Sequence, residues 1–137
     1  MELEISASGR RCSASHSASA LGDTASLLGF KVTPPDSSGS MRVITYWQAG
    51  HPTTMPLKLF IHAMDANEQV VAQEDRLDAP VENWQPDDLM VQVNHLRLPE
   101  HVRAMWLEVG LYNPSSGERL PVLIEGQTVD HRVLLAW

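Results

Sequence analysis

The chain holds a single cysteine, Cys12. That excludes an intramolecular disulfide and a cysteine-based zinc site, and it leaves the redox compartment open. Cations are also scarce: 10 Lys and Arg stand against 17 Asp and Glu, a net charge of −7. The densest basic stretch is the pair Arg10-Arg11. Binding to a phosphate backbone needs clustered cations, so no nucleic-acid partner is expected. No apolar run reaches the roughly 18–20 residues of a membrane helix. The first residues lack the charged-then-apolar layout of a signal peptide.

Catalytic patterns are missing as well. The six histidines, His16, His51, His62, His95, His101 and His131, form no H-x-H pair and no H-E-x-x-H motif. Serines gather at 13–19 and 37–40 without a G-x-S-x-G elbow. There is no glycine-rich phosphate loop. No catalytic residue, metal ligand or cofactor is therefore assigned, and the chain is read as non-enzymatic.

What is present is alternation. In Met41–Glu74, Val43, Thr45 and Trp47 share one face, and Ile44, Tyr46 and Gln48 the other. Farther on, Leu57, Leu59, Ile61 and Ala63 oppose Lys58, Phe60, His62 and Met64. A period of two belongs to strands, and the β-branched and aromatic content agrees. The stretch predicts three strands joined by a loop at Gly50–Met55 and a tight turn at Asp65–Glu68. In that turn Asp65 is placed to accept backbone N–H groups, and Asn67 to take a left-handed backbone. Further strands are predicted at Thr24–Val32 (Leu28, Phe30 and Val32 on one side), Met90–Leu98, Ala104–Tyr112, Leu120–Ile124 and Arg132–Leu135. Pro34–Gly39, Pro99–His101 and Asn113–Gly117 break them. The polar connection over residues 77–89 is long for a hairpin and reads as a crossing between sheets or a wrap around an edge.

The expected fold is all-β: a two-sheet antiparallel β-sandwich of the jelly-roll or immunoglobulin-like type. It occupies residues 21–137, behind a loose Ser/Ala-rich segment, 1–20, in which Leu3 and Ile5 offer at most a short strand. The final run Val133–Trp137, apolar to its end, reads as the edge of a domain within a longer protein.

Three segments carry a resemblance. They are Leu27-Leu28-Gly29-Phe30; Thr45–Ala49 leading to Phe60–Asp65; and Gly110–Pro114 running on through Gly117–Val122, with Trp84-Gln85-Pro86 between the last two. In order and spacing these resemble a β-sandwich domain that follows the membrane-spanning part of large bacterial glycosyltransferases of the protein-mannosyltransferase type, as in filamentous green non-sulfur bacteria. The resemblance implies a non-catalytic accessory domain on the extracytoplasmic face, attached to a parent membrane domain. It does not imply the transferase activity. Two places depart from the pattern: the turn after Met64 has Asn67-Glu68 and the position after Pro86 has Asp87 where glycine is expected, and both replacements make a positive φ more costly, so those turns are expected to differ.

Two functions compete at this stage. In the first, the domain holds or orients a carbohydrate or lipid-linked sugar. Sugar-binding sandwiches stack aromatic rings on a pyranose and hold its hydroxyls with polar groups. Trp84, flanked by the amides of Asn83 and Gln85, is the candidate platform; the alternative for Trp84 is a plug at one end of the sandwich. Trp47 and Trp106 are expected in the core. In the second, the module is structural or binds a protein partner, with no ligand. A small hydrolase, which would need convergent carboxylates, is a third. His62 and His95 would form a site only if folding brought them together, and Asp65–Glu68 offers an incomplete calcium ligand set.

Overall fold

The computed structural model describes residues 19–137. The expected loose segment therefore lies outside the described residues, as does Cys12; only Ser19 and Ala20 of that segment are seen, and they open the first strand. The strands run β1 (Ser19–Leu21), β2 (Ala25–Thr33), β3 (Ser40–Ala49), β4 (Lys58–Met64), β5 (Val70–Asp75), β6 (Leu89–Arg97), β7 (Trp106–Tyr112), β8 (Val122–Ile124), β9 (Gln127–Asp130) and β10 (Val133–Leu135). They build two sheets, ordered β6-β3-β2-β1-β8-β9 and β10-β7-β4-β5. Every named pairing is antiparallel. Neither sheet closes into a barrel, and the molecule is the β-sandwich the alternation predicts.

The inward faces follow the sequence pattern. Met41, Val43, Thr45, Trp47 and Ala49 of β3 face Leu59, Ile61 and Ala63 of β4 and Leu107, Val109 and Leu111 of β7, all buried. Each large side chain buried here contributes roughly 1.5–3 kcal/mol relative to exposure. The one polar side chain of β3 in this layer is satisfied: the Trp47 indole N–H donates to Thr45 Oγ1 at 2.8 Å.

Strand β2 departs from simple alternation. A register shift between Leu27 and Gly29 inserts an extra residue, so Leu27 and Phe30 both point inward, with Ala25 and Val32. Leu28, expected beside Phe30, is turned out and half-buried. A bulge of this kind changes the face of everything beyond it, and periodicity alone could not locate it. Trp106 differs too. It lies outside the core and shares the outward face of β7 with Glu108 and Tyr112. The strands β1 and β9 were not expected; β9 has every residue exposed, so burial writes no pattern into it.

The connection after β5 does cross from one sheet to the other, through a short 3-10 turn at Val81–Asn83. The seam it leaves between β5 and β6 is closed by side chains. Asn94 and Gln92 are buried on the inward face of β6. The Asn94 amide donates to Glu74 Oε1 at 2.9 Å, and Gln92 Oε1 accepts the Asp78 amide N–H at 2.9 Å. Glu74 also accepts the His95 backbone N–H, and Arg76 donates to the Val93 carbonyl. The free edge of β6 is thus capped along its second half, a protection exposed edges need.

Candidate functional site

Two regions gather polar side chains. The first covers the outward face of the four-stranded sheet. Phe60 on β4 lies directly across from Gly110 on β7. A Cβ at Gly110 would come within 2.5 Å of the Phe60 ring, so the ring lies across the glycine. Arg119, from the loop after β7, stacks its guanidinium 4.1 Å from the ring centroid, a cation–π contact. Next to it Glu108, 5% exposed, accepts from three cations or donors: His62 Nδ1 at 2.8 Å, an Arg132 guanidinium nitrogen at 2.8 Å and Arg119 at 3.4 Å. Glu108 has only acceptors, so the His62 Nδ1 carries the hydrogen. The other ring nitrogen, Nε2, faces Asp75 Oδ1 at 3.4 Å. The second oxygen of Asp75 accepts the Tyr112 hydroxyl at 3.1 Å, and Arg132 reaches on to Glu68 at 3.3 Å.

The charges in this layer shape one another. Burial pushes the Glu108 carboxyl up, but the hydrogen bonds from Arg132 and His62 and the charge of Arg119 outweigh it and hold it below the ordinary glutamate value. Arg132 is raised, first by its bond to Glu108. Tyr112 is raised by burial and by the neighbouring Asp75. A carboxylate–imidazole–carboxylate line resembles the parts of an acid–base site: Glu108 is fully engaged by His62, Arg119 and Arg132, whereas His62 Nε2 and Asp75 Oδ1 are buried 3.4 Å apart with no hydrogen bond to either among the described residues. The arrangement ties β4, β5 and β7 to the loops before β8 and β10.

The second region is a cleft of about 780 Å³ at one end of the sandwich. Its walls are the β2–β3 turn, with Asp36, Ser37, Ser38 and Gly39, and the β6–β7 connection from Arg97 to Ala104, with Trp137 beside them. The turn is built by Asp36. Its Oδ1 accepts the Ser38 hydroxyl at 2.6 Å, the Ser38 N–H at 2.8 Å and the Ser40 N–H at 3.1 Å. Those bonds, with the charge of Arg97, hold the exposed Asp36 carboxyl below its ordinary value. Gly39 is required twice over. Its φ is +85°, and a Cβ would meet the Leu98 carbonyl oxygen at 2.5 Å. That close approach lets the Leu98 N–H bond the Gly39 carbonyl at 2.9 Å, locking the two walls together. His101, at φ 64°, turns the far wall. Arg97, Arg103 and His101 are exposed, and Trp137 is half-buried. The cleft therefore offers an indole, hydroxyls, guanidinium donors and carboxylate acceptors around one space.

The residues singled out from sequence fall elsewhere. Trp84 is 7% exposed and belongs to the core; its indole N–H donates to the Ala79 carbonyl at 2.9 Å. Of the two roles weighed for it, this geometry is that of the plug, and the ring offers no open face for stacking. Asn83 and Gln85 are exposed beside it. His62 and His95 stand on the outward faces of opposite sheets, so folding separates them. In the β4–β5 turn Asp65 Oδ1 accepts the Asn67 and Gln69 N–H groups, as expected, but the left-handed residue is Glu68 at φ 59° and not Asn67. Asp87 has φ 68°. Both turns thus keep the geometry a glycine would favour, against expectation. The two cleft walls are legible in sequence only as breaks, Pro34–Gly39 and Pro99–His101; no sequence signal shows that they meet. The chain matches no protein-family model, no curated protein and no solved structure.

Proposed function

We propose that this sandwich is a non-catalytic binding module that holds a hydroxyl-rich ligand, a carbohydrate or lipid-linked sugar, in the end cleft. As the resemblance in the sequence suggests, it serves as an accessory domain to a membrane glycosyltransferase on the extracytoplasmic side. The observation that carries this reading is the composition of the cleft: a half-buried indole beside serine hydroxyls, Asp36 and two guanidinium groups. An apolar ring face with convergent donors and acceptors is what pyranose recognition requires. In this reading the indole platform is Trp137, not Trp84, whose ring is buried. A glycan array with the wild-type domain, followed by calorimetry on any sugar retained, tests it. Trp137→Ala and Ser37→Ala are expected to weaken binding, with circular dichroism unchanged for Ser37→Ala. An array that retains no sugar overturns the reading and leaves the structural or protein-binding module.

A further inference from the structure

The described residues include eight Lys and Arg. Three of them, Arg76, Arg119 and Arg132, are paired with carboxylates. Of the other five, Lys31, Arg42 and Arg97 lie on one surface, the outward face of β2, β3 and β6. Those three strands contain no Asp or Glu at all, in a chain that carries 17. The ladder sets the rows. Arg42 stands between Thr33 and His95, and Ile44 between Lys31 and Val93. Tyr46 follows between Gly29 and Val91, and Gln48 is opposite Leu89. Cross-strand partners share a face, so the surface runs from Arg97, Arg42, His95 and Lys31 at the cleft end to Ile44, Val93, Tyr46, Val91 and Leu89 at the other. Leu89 and Val91 are 72% and 62% exposed, the most exposed large apolar side chains among the described residues. Carboxylates border this face at its edges: Asp36, held by its own turn, and Glu100 share the cleft lining with Arg97, and Glu74 is bonded to Asn94.

We propose that this face docks on an anionic phospholipid surface, with Lys31, Arg42 and Arg97 against the headgroups and Leu89 and Val91 at the interfacial level. Charge complementarity selects that occupant. An acidic protein with one carboxylate-free cationic face is oriented by a negative surface and repelled in every other pose. Exposed aliphatic side chains on the same face add apolar burial to the attraction, as peripheral membrane binding needs. The inference goes beyond the cleft reading, since neither Lys31 nor Arg42 lines the cleft.

Sedimentation with phosphatidylglycerol-rich vesicles, against phosphatidylcholine vesicles, is the test. The domain is expected to bind the first and not the second, and to be released by salt. Lys31→Gln and Arg42→Gln are each expected to weaken vesicle binding about fivefold, and Val91→Asp to weaken it further, while glycan retention in the cleft stays unchanged. Equal binding to both vesicle types, or to neither, overturns the proposal. So does release by free glycerol phosphate, which assigns a headgroup pocket instead of a surface. A dimer in solution that Val91→Asp dissociates, without lipid binding, overturns it too and assigns the face to a second copy of the chain.

Discussion

Glu108 on β7 and Arg42 on β3 both project outward from the middle of a sheet, yet they live in different surroundings. Glu108 is 5% exposed and meets His62, Arg119 and Arg132. Arg42 is exposed, with Thr33 and His95 as its ladder partners. The difference follows from what covers each face. Loops fold over the four-stranded sheet, take its charges out of water and so require a partner for each. Nothing among the described residues covers β2, β3 and β6, so their cations keep their hydration and remain available to something outside the domain. One face spends its charges on holding the fold together, and the other leaves them open.

Mutations can sharpen that contrast. The core sets the scale: Trp84→Ala should lose about 3–5 kcal/mol in urea denaturation, as truncation of a large buried ring does. Glu108→Ala should approach that range, at about 3 kcal/mol, because it leaves His62, Arg119 and Arg132 without their buried acceptor; the exposure of Arg119 and Arg132, 36% and 26%, keeps it from the upper limit. The same carboxyl fixes a pH dependence. Its folded-state value lies below its unfolded one, so its stabilisation is complete above the ordinary glutamate range. It is lost as pH falls through the depressed folded value. Acid denaturation of Glu108→Gln should show a shallower loss over that window than the wild type, and an unchanged acid limb would break the comparison.

Smaller effects come next. Gly110→Ala drives a methyl into the Phe60 ring and should cost about 1–3 kcal/mol, the usual range for overpacking, read from the shift in urea midpoint. Asp87→Gly should stabilise by about 0.5 kcal/mol, because relief of the left-handed strain is partly offset by the freedom glycine gains when unfolded. Glu68→Gly should gain less, since it also gives up the contact with Arg132; equal gains at both turns would show that Glu68 adds nothing to the network. At the bottom of the scale, Lys31→Gln and Arg42→Gln should change thermal stability by less than about 0.5 kcal/mol. A larger loss would place those cations in the fold and not at its service.

The inward faces of β3, β4 and β7 were legible because burial writes a period of two into the sequence. The β2 bulge was not, since an inserted residue leaves the composition unchanged and alters only the phase. Glu68 and Asp87 hide their positive φ for a related reason: side-chain identity predicts the cheap backbone, whereas tertiary closure imposed the costly one. The cleft was legible only as two unrelated breaks. Its walls meet through Gly39 and Leu98, a backbone contact between distant segments that no local pattern announces. The charge network was hidden in the same way, because Glu108, His62, Asp75 and Arg132 are ordinary exposed-looking residues until loops cover them.

The strand order carries a consequence for how the chain assembles. β2–β3 and β4–β5 pair sequential neighbours and need only short loops to close. β1, however, sits between β2 and β8, and Ala20 pairs with Leu123, so nearly the whole described chain must be in place before that ladder forms. Pairings of such long separation delay folding toward the millisecond-to-second range of sandwiches. A nascent chain halted before Val122 holds a six-stranded sheet with only four of its strands, and the side of β1 that awaits β8 is an open edge that invites a neighbouring chain. Within this domain, the strands synthesised late are therefore the ones that turn an adhesive intermediate into a finished sandwich.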